Sequence, residues 1–378
     1  MNEVKKKIAF CATVDYHIKA FHLPYLKWFK DEGWEVHVIA NGDLTLPYVD
    51  EKFNVCIQRS PLKTDNLKAY RELKKIMNEN EYNLIHCHTP MGGVLTRLAA
   101  RKNRKKGAKV IYTAHGFHFY KGAPYKNWFL YYPIEKWLSK YTDCLITINE
   151  EDYNIAKLKF YAKDIKHVHG VGVDLNKFSL IDKSEKQLLR SQYGYSEKNY
   201  ILIYPGELSN RKNQAMLIEV VELLKYKIPN LKLLLPGKKT LGRFLENSAI
   251  NRGVTDLIEF MGFRNDIKEL VSLSDVAVSS SLQEGLAVNL MEAMASGKVV
   301  ITTNCRGGAD LVENNVNGFV VAINDSKAMA NKILELYEND KLRFEMGLKG
   351  REKISVFSLD KVLSEMAEIY KNIEGEKK

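Results

Sequence analysis

The chain alternates short apolar runs with longer segments in which apolar residues recur at helical spacing. In the first half, five runs rich in β-branched residues have the length of strands: 7–13, 35–40, 84–88, 110–114 and 144–149. A strand buried on both sheet faces reads as a continuous apolar run, because helices cover both faces of a parallel sheet. The pattern therefore predicts a doubly wound parallel sheet in this half.

The same pattern restarts after about residue 184. Five further strand-like runs follow, again separated by helical segments: 200–204, 231–235, 275–279, 298–302 and 318–321. Two such series predict an α/β protein of two doubly wound domains, the first over 1–180 and the second over 181–357. The last segment, 358–371, has apolar residues at helical spacing and fits either domain by its pattern alone.

Length and composition are consistent with this division. The 378 residues suit two domains, and no apolar stretch approaches the roughly 18 residues that a membrane-spanning helix needs. The start lacks the long apolar run of a secretory signal, and the five scattered cysteines contain no C-x-x-C pair, so a cytoplasmic protein with reduced thiols is predicted. In His86-Cys87-His88, alternation along a strand points Cys87 away from both histidines, which predicts packing and no metal site.

Charge distinguishes the two halves. The whole chain has a net charge of +11, and residues 1–180 hold 29 Lys and Arg against 19 Asp and Glu, a net charge of +10. A solvated loop is a sufficient explanation for the dense run at 101–106 alone. A whole half with this charge favours an anionic partner: a membrane surface, a phosphorylated lipid or nucleic acid. Because no nucleic-acid-binding module is recognisable, no nucleic-acid partner is predicted.

Ligands of open α/β sheets bind beyond the carboxyl ends of the strands, so the residues after each strand are candidates. After the run 275–279, Glu284 lies in a loop, Gly285 permits close backbone approach, and a helix is predicted to start near Ala287. The first N–H groups of a helix can bind phosphate. Glu284 can then accept hydrogen bonds from hydroxyls beside that phosphate, and Glu292 can reach a second polyol such as a ribose. Taken alone, the two glutamates are also explained as ordinary helix residues.

The turn after the run 200–204 suggests the same chemistry. Gly206 lies at the turn, and Arg211 and Lys212 come just before the next helix. Basic residues at such a turn stabilise a diphosphate leaving group without a metal ion.

Two more strand ends of the second half agree with this interpretation. Gly237 follows the run 231–235, and Gly262 forms a turn beyond which Phe263 and Arg264 can flank a flat base. The residues at these four strand ends are of the kinds that bind a phosphate, a sugar or a base. Together they indicate a nucleotide-sugar site.

The sequence EGLAVNLMEAMASGKVVI, which begins at Glu284, resembles the E-x7-E signature of the retaining family 4 glycosyltransferases. Further similar stretches follow the order of the family: IHCHTPMGGVLTRLAAR, YTAHGFHFY, GVDLNKF, GELSNRKNQ and MGFRNDI. The likeness extends over almost the whole chain and is close to enzymes that build bacterial exopolysaccharide and capsule units on a lipid carrier. It implies the GT-B fold, in which two facing Rossmann-like domains enclose a cleft and the final helix, 358–378, packs back on the N-terminal, acceptor-binding domain.

The resemblance also implies roles for single residues. Glu284 would contact hydroxyls of the donor sugar, Glu292 the nucleotide ribose, and Lys212 the diphosphate, while His115 in TAHGF would reach the transferred sugar. Glu284, Lys212 and His115 are the predicted catalytic residues. The predicted donor site comprises Gly206, Arg211, Lys212, Gly237, Phe263, Arg264, Glu284, Gly285, Leu286, Ala287 and Glu292.

Two stretches depart from the family pattern. Glu207 stands where family members often have arginine, and Arg211 is expected to supply the missing positive charge. The loop after the first strand is usually glycine-rich but reads ATVDYHIKAFHLP here, and Tyr16, His17 and His22 are predicted to shape the acceptor site.

The sequence thus predicts a retaining glycosyltransferase that moves a sugar from a nucleotide-sugar, expected to be UDP-linked, to a glycan or a polyprenyl-diphosphate-linked acceptor. Neither a metal ion nor a cofactor is expected, and the basic half is predicted to associate with the inner face of the cell membrane. One alternative is a nucleotide-sugar epimerase or phosphorylase on the same fold, and another is a non-catalytic nucleotide-sugar sensor. A dinucleotide oxidoreductase is disfavoured, since no G-x-G-x-x-G follows the first strand.

Overall fold

The computed structural model describes residues 5–375, which form two compact units. Unit 1 comprises the described residues up to Val171 together with those from Lys361 onward, and unit 2 comprises Gly172–Asp360. The first boundary precedes the predicted position after residue 180, and the second follows the predicted position after residue 357.

Unit 1 contains a parallel sheet with the strand order β3-β2-β1-β4-β5-β6-β7. The strands are β1 (Lys7–Val14), β2 (Glu35–Asn41), β3 (Glu51–Asn54), β4 (Leu84–His88), β5 (Lys109–Ala114), β6 (Cys144–Thr147) and β7 (Asp164–His167). The sequence patterns predicted five of these and missed β3 and β7. Both are four-residue edge strands whose polar sequences, EKFN and DIKH, contain no apolar run.

Helices cover both faces of this sheet. They are α1 (Asp15–Phe21), α2 (Leu23–Asp31), α3 (Asp65–Glu79), α4 (Pro90–Ala99), α5 (Arg101–Lys105), α6 (Tyr125–Leu138) and α7 (Glu150–Lys159). Successive residues of β1 point to opposite faces: Ile8 and Phe10 lie in one buried cluster, and Ala9 and Cys11 lie in the other. This double burial explains why the central strands read as unbroken apolar runs.

Unit 2 contains a second parallel sheet, with the order β10-β9-β8-β11-β12-β13. Its strands are β8 (Tyr200–Ile203), β9 (Leu231–Pro236), β10 (Ile258–Gly262), β11 (Val276–Ser279), β12 (Val299–Thr303) and β13 (Gly318–Val321). Its helices are α8 (Lys183–Gln192), α9 (Gln214–Leu224), α10 (Gly242–Asn251), α11 (Ile267–Leu273), α12 (Val288–Ala295), α13 (Ser326–Glu338) and α14 (Asp340–Ile354). The strand β10 was not predicted, because it contributes only one residue, Ile258, to the fully buried set.

Each sheet reverses its strand order once. In unit 1 the reversal lies between β1 and β4, and in unit 2 it lies between β8 and β11. At such a switch point the loops leave to opposite sides of the sheet and open a crevice beyond the carboxyl ends of the strands. The fold therefore provides one crevice of this kind in each unit.

The final helix, α15 (Leu359–Gly375), contributes to the core of unit 1. Val362, Met366 and Ile369 lie in the same buried cluster as Phe10 of β1. Tyr370 is almost wholly buried, and its hydroxyl lies 2.9 Å from Nδ1 of His86. The apolar spacing read in the sequence is thus the spacing of the residues that face this core.

Replacing Tyr370 with Phe should destabilise the protein, because the ring nitrogen of buried His86 loses its partner in an environment that water does not reach. An unsatisfied buried polar group costs about 1–3 kcal/mol. We expect the Tyr370→Phe variant to unfold at lower urea concentration than the unaltered protein. Tyr125→Phe, at a position that is 94% exposed, is the control and should leave the unfolding midpoint unchanged. Equal urea midpoints for the two variants would contradict a stabilising bond between Tyr370 and His86.

Candidate functional site

The candidate donor site in unit 2 lies where β8, β9 and β11 end. Gly206 follows β8, and a Cβ atom built there would lie 3.1 Å from Cε of Lys212. Gly237 follows β9, and a Cβ atom there would lie 1.8 Å from the carbonyl oxygen of Gly206. A side chain at Gly237 cannot fit without backbone movement. The two predicted glycines therefore allow the turns to approach closely around Lys212.

A buried group of opposite charges is centred on Glu284, and we call it the Glu284 group. Glu284 Oε1 lies 2.7 Å from Lys212 Nζ, and Oε2 lies 2.7 Å from Arg211 Nη1. Ser281 donates its hydroxyl to Oε1 at 2.6 Å. Glu284 and Lys212 are each 7% exposed, whereas Arg211 is exposed. The structure thus brings together three of the predicted site residues.

The charges of the Glu284 group stabilise one another against burial. Burial favours the neutral acid, but Lys212 and Arg211 outweigh it and keep the pKa of Glu284 below its usual value. Burial likewise opposes the charge of Lys212, but Tyr204 and Glu284 outweigh it and raise the pKa of Lys212. All three groups are therefore charged at neutral pH, and two cations face one carboxylate. The excess positive charge suits an anionic ligand such as a diphosphate.

Four residues that sequence reasoning missed hold Glu284 in place. The Tyr204 hydroxyl lies 2.5 Å from Ser281 Oγ, which makes the bond to Glu284. Thr303, which ends β12, donates to the Ser281 carbonyl at 2.5 Å. Arg306 Nε donates to the Glu284 carbonyl at 3.3 Å. Tyr204, Ser281 and Arg306 all follow strands, so their positions were predictable, but hydroxyl and basic residues are common there and only the contacts single them out.

Glu207, the departure from the family pattern, does not contact the Glu284 carboxylate. It accepts a hydrogen bond from the Thr240 hydroxyl at 2.6 Å. Arg211 donates both to Glu284 and, at 3.0 Å, to the Gln283 carbonyl. Arg211 thus places a positive charge beside Glu284, and its compensation for Glu207 stays a prediction.

The predicted base-binding residues lie at the turn after β10. Gly262 has a φ of +67°, and its carbonyl accepts the N–H of Gly237 at 2.7 Å. Phe263 is 58% exposed. Arg264 Nε donates to Asp266 Oδ1 at 2.8 Å, so its guanidinium group is held by that carboxylate. The turn therefore presents an open aromatic ring next to an anchored guanidinium group, and contact with a base stays a prediction.

Gly285, Leu286 and Ala287 form the turn into α12, which begins at Val288, one residue later than predicted. The Ala287 N–H donates to the Gly307 carbonyl at 3.2 Å, and the Val288 N–H donates to the Leu286 carbonyl at 3.1 Å. The Ala287 amide is therefore engaged within the protein. A diphosphate that binds this amide has to displace the Gly307 carbonyl.

Glu292 lies on α12 and is partly buried. Burial raises the pKa of its carboxyl group to about 7, and the positive charge of Lys177 acts in the opposite direction. Near neutral pH the group is a mixture of acid and carboxylate. It can therefore both donate to and accept from a hydroxyl such as that of a ribose.

Four histidines, which we call the histidine group, meet at the carboxyl ends of β1, β4 and β5. His17 lies on α1, His22 lies between α1 and α2, His88 ends β4, and His115 follows β5. One ring nitrogen of each lies within 4.8 Å of those of the others. The group is at the switch point of unit 1, the position that the Glu284 group has in unit 2.

The histidine group includes three predicted site residues together with His88. His17 and His22, predicted for the acceptor, lie beside His115, predicted for the transferred sugar; Tyr16 is 55% exposed on α1. His88 was predicted to pack in the core, and it is 1% exposed and also lies within this group.

Strand alternation separates the two histidines of β4 from the cysteine between them, as predicted. Cys87 lies in the buried cluster on the opposite face of the sheet. His86 bonds the hydroxyls of Tyr370 and Thr113, at 2.9 and 2.8 Å, and so is a satisfied core residue.

Burial keeps the histidine group uncharged. It lowers the pKa of His17 to about 4, and it places the pKa values of His22, His88 and His115 well below the usual value. Neutral imidazoles do not neutralise a diphosphate. They can bond hydroxyl groups or bind a metal ion.

The solvent side of α6 is apolar. Tyr125 is 94% exposed and Phe129 is 87% exposed, and Leu130, Ile134 and Trp137 are between 40% and 50% exposed. They are spaced by four, one, four and three residues, which places them within one half of the helix circumference. A solvated helix face is ordinarily charged, so this face suits a partner that covers apolar side chains.

Basic residues border this apolar face. Lys126 and Lys140 are exposed near its two ends. The Arg101 guanidinium group lies 5.4 Å from the ring centre of Tyr141, and that ring lies 5.4 Å from the ring of Trp137. The dense basic run that begins at Arg101 is therefore continuous with the apolar face. Across residues 5–375, we find no helix with the length and apolar character that crossing a membrane requires.

Two doubly wound parallel sheets, each with its own switch point, are the architecture of the GT-B class of α/β enzymes. The chain belongs to the glycosyltransferases of this class. A family model described as "Glycosyl transferases group 1" matches residues 185–353, and one described as "Glycosyl transferase 4-like" matches residues 7–149. The Glu284 group lies within the first match and the histidine group within the second.

Relatives of similar length support the same assignment. The Bacillus subtilis protein named "Putative glycosyltransferase EpsD" is 52% identical over 366 residues, which cover 97% of this chain and 96% of that protein. The Escherichia coli "UDP-Gal:alpha-D-GlcNAc-diphosphoundecaprenol alpha-1,3-galactosyltransferase" is 28% identical over 355 residues, 90% of this chain and 89% of that protein. The crystal structure of Anabaena HepE with UDP and glucose matches with a TM-score of 0.80 at 20% identity, over 97% of this chain and all of that one. The predicted fold class and family are confirmed.

The raised pKa of Glu292 makes stability depend on pH. In the folded protein the Glu292 carboxyl group keeps its proton up to about pH 7. In the unfolded chain the same group loses its proton near pH 4.5. The folded state therefore binds this proton more tightly than the unfolded chain does. The resulting stabilisation of the fold is complete below pH 4.5 and is lost as the pH rises through 7. We expect Glu292→Gln to remove this pH dependence, so that between pH 4.5 and 8 the variant gains up to about 3 kcal/mol of stability relative to the unaltered protein, since one pKa unit corresponds to about 1.36 kcal/mol.

The measurement is thermal unfolding at intervals between pH 4.5 and 8. Glu338→Gln, at an exposed position on α13, is the control and should follow the unaltered protein throughout. A Glu292→Gln curve parallel to that of the control would show that this carboxyl group titrates normally.

Proposed function

We propose that the protein is a retaining glycosyltransferase that transfers a hexose or N-acetylhexosamine from a UDP-sugar to a glycan or polyprenyl-diphosphate-linked acceptor in exopolysaccharide or capsule synthesis. The observation that supports it most is the Glu284 group, a buried carboxylate with two cations at a switch point. A carboxylate suits the hydroxyls of a sugar, and adjacent cations suit the diphosphate attached to it. The UDP in the HepE crystal and the diphosphoundecaprenol in the name of the E. coli relative support the nucleotide and the acceptor.

In the proposed mechanism, the bond between C1 of the donor sugar and the diphosphate oxygen breaks, and its electron pair leaves with the diphosphate. The acceptor hydroxyl attacks C1 from the same face, and its proton passes to the departing diphosphate. Lys212 and Arg211 stabilise the developing negative charge. The proposal uses neither a metal ion on the diphosphate nor a cofactor, because these side chains supply the charge.

The other donor residues keep the roles that the resemblance implies. Glu284 orients the sugar, Glu292 bonds the ribose, and Phe263 and Arg264 flank the base. The close turns that approach the diphosphate are formed by Gly206, Gly237, Gly285, Leu286 and Ala287.

On the acceptor side, Tyr16, His17 and His22 are proposed to line the binding surface. His115 is proposed to contact the transferred sugar. Its Nε2 already lies 3.3 Å from His17 Nε2 and 3.4 Å from His88 Nδ1. The ring is only partly buried, so Nδ1 is the nitrogen that can bond a sugar hydroxyl.

The proposed function is tested by transfer assays with a panel of UDP-sugars, with and without a polyprenyl-diphosphate-linked sugar. We expect a glycosylated lipid that forms only when donor and acceptor are both present. Conversion of the donor sugar without any acceptor would indicate an epimerase instead. Thermal stabilisation by a UDP-sugar without turnover on any acceptor would indicate a sensor.

In this assay, Lys212→Ala should reduce kcat by about 10²-fold or more, since removal of a charge-stabilising donor costs roughly 3–4 kcal/mol in the transition state. The matched control is Lys298→Met. Lys298 is similarly buried in unit 2, but it precedes β12, and its Nζ donates to the Ser272 carbonyl at the amino ends of the strands. Each change removes a buried lysine nitrogen and its bond to an oxygen, so both should lower stability, but only Lys212→Ala should lower kcat. Equal losses of kcat would remove Lys212 from the mechanism.

We further propose that unit 1 associates with an anionic membrane surface through the exposed side of α6. The support is the combination of an apolar face with adjacent lysines and arginines, in a half with a net charge of +10. Aromatic side chains suit the boundary between lipid tails and headgroups, and basic residues are attracted to anionic headgroups at about 1 kcal/mol each. A lipid-linked acceptor would be bound at such a surface.

Changing both Phe129 and Trp137 to Ser should weaken binding to vesicles containing phosphatidylglycerol at least tenfold. The reason is that full burial of one such side chain stabilises the bound state by about 1.5–3 kcal/mol. Added salt should weaken binding of the unaltered protein. Phe344→Ser is the control, since Phe344 is 65% exposed on α14 of unit 2. Co-sedimentation of the protein with the vesicles measures binding in each case. Binding that neither salt nor the double change reduces would exclude this surface.

A further inference from the structure

The contacts within the histidine group cannot all be satisfied by hydrogen bonds. His115 Nε2 lies 3.3 Å from His17 Nε2 and 3.4 Å from His88 Nδ1. A neutral imidazole nitrogen carries either one proton or one lone pair. As a donor, His115 Nε2 has one proton for two acceptors, and as an acceptor it has one lone pair for two donors. One of the two contacts is therefore unsatisfied in any arrangement of protons.

His22 adds a second unsatisfied feature. It is 2% exposed, and within the described residues neither of its ring nitrogens has a hydrogen-bond partner. A buried nitrogen in this condition costs about 1–3 kcal/mol, so a fold that gathers several of them is expected to place a ligand among them.

We propose that the histidine group binds a transition-metal cation of the zinc type through His17, His22, His88 and His115. In a tetrahedral site with metal–nitrogen bonds of 2.0–2.1 Å, neighbouring ligand nitrogens lie about 3.3 Å apart. The two measured contacts, 3.3 and 3.4 Å, have this spacing. His22 completes the set, because its ligand nitrogen lies within 4.8 Å of the other three.

The chemistry of the ligands selects the kind of metal. Neutral imidazole nitrogens bind metal ions through a lone pair, and one nitrogen from each of four rings converges here. Four nitrogen ligands without a carboxylate suit zinc, nickel, cobalt or copper ions, and they do not suit magnesium or calcium, which prefer oxygen.

Metal binding would also fix the proton of His115. A cation on Nε2 requires the proton to be on Nδ1, which then can only donate. This makes His115 a hydrogen-bond donor toward an oxygen of the transferred sugar. That consequence rests on the proposed function, whereas the metal site itself does not depend on it.

The site is tested with protein that carries no histidine tag, freed of metal by a chelator and titrated with Co²⁺. We expect one equivalent to bind, with the visible absorption bands of tetrahedral cobalt, and Zn²⁺ to displace it. His17→Ala and His22→Phe should each weaken Co²⁺ binding at least tenfold, and the Phe ring keeps the stacking on His88, whose ring centre is 3.8 Å from that of His22. His169→Gln is the control, since His169 lies outside the group and bonds Glu365.

Circular dichroism of each variant shows whether it is folded. Failure of the unaltered protein to bind one equivalent, or equal binding by the His17, His22 and His169 variants, would overturn the proposal. Because no sugar transfer is measured, this result is independent of the result of the transfer assay.

Discussion

The structure of unit 2 beyond its strands depends on one buried interaction, the pairing of Glu284 with Lys212 and Arg211. A charge removed from water is costly unless partners surround it, and here both oxygens of the buried carboxylate and the ammonium group of Lys212 have partners. Lys212 can reach Glu284 because Gly206 and Gly237 let two strand ends approach without side chains. The turns after β8, β9 and β11 are thus fixed together, and a change at any of them alters the charge at the switch point.

Unit 1 has the same topology and opposite electrostatics. Its switch point holds neutral imidazoles in place of an ion pair, because burial lowers the pKa values of the histidines and, within the described residues, the group includes no carboxylate. The two units therefore offer different chemistry at equivalent positions. One is suited to anionic groups, and the other is suited to hydroxyl groups or to a metal ion. The strand order determines where each site lies, and a few side chains determine what it binds.

The central strands were predictable from the sequence, because burial on both faces leaves a clear apolar signal, whereas the strand order that creates the switch points was not. Edge strands such as β3 and β7 were not, since one side of each faces solvent and the composition is polar. Glu284 and Lys212 were identified by their place after strands, but their direct contact and its support from Tyr204 and Ser281 depend on tertiary packing that no local pattern encodes. Three different roles were predicted for the members of the histidine group, and the group itself was not predicted. Its members come from four segments that only the sheet brings together.

The contacts of Glu284 suggest how a donor would be recognised as a whole in the proposed reaction. Both carboxylate oxygens already have partners, so a sugar hydroxyl arriving alone meets an acceptor that is largely occupied. A diphosphate competes for Lys212 and Arg211, because it carries more charge than one carboxylate. As these cations turn toward the phosphates, lone pairs of Glu284 become available to the attached sugar. Binding of the diphosphate and binding of the sugar are then coupled through one carboxylate, which favours the intact nucleotide-sugar over either of its parts.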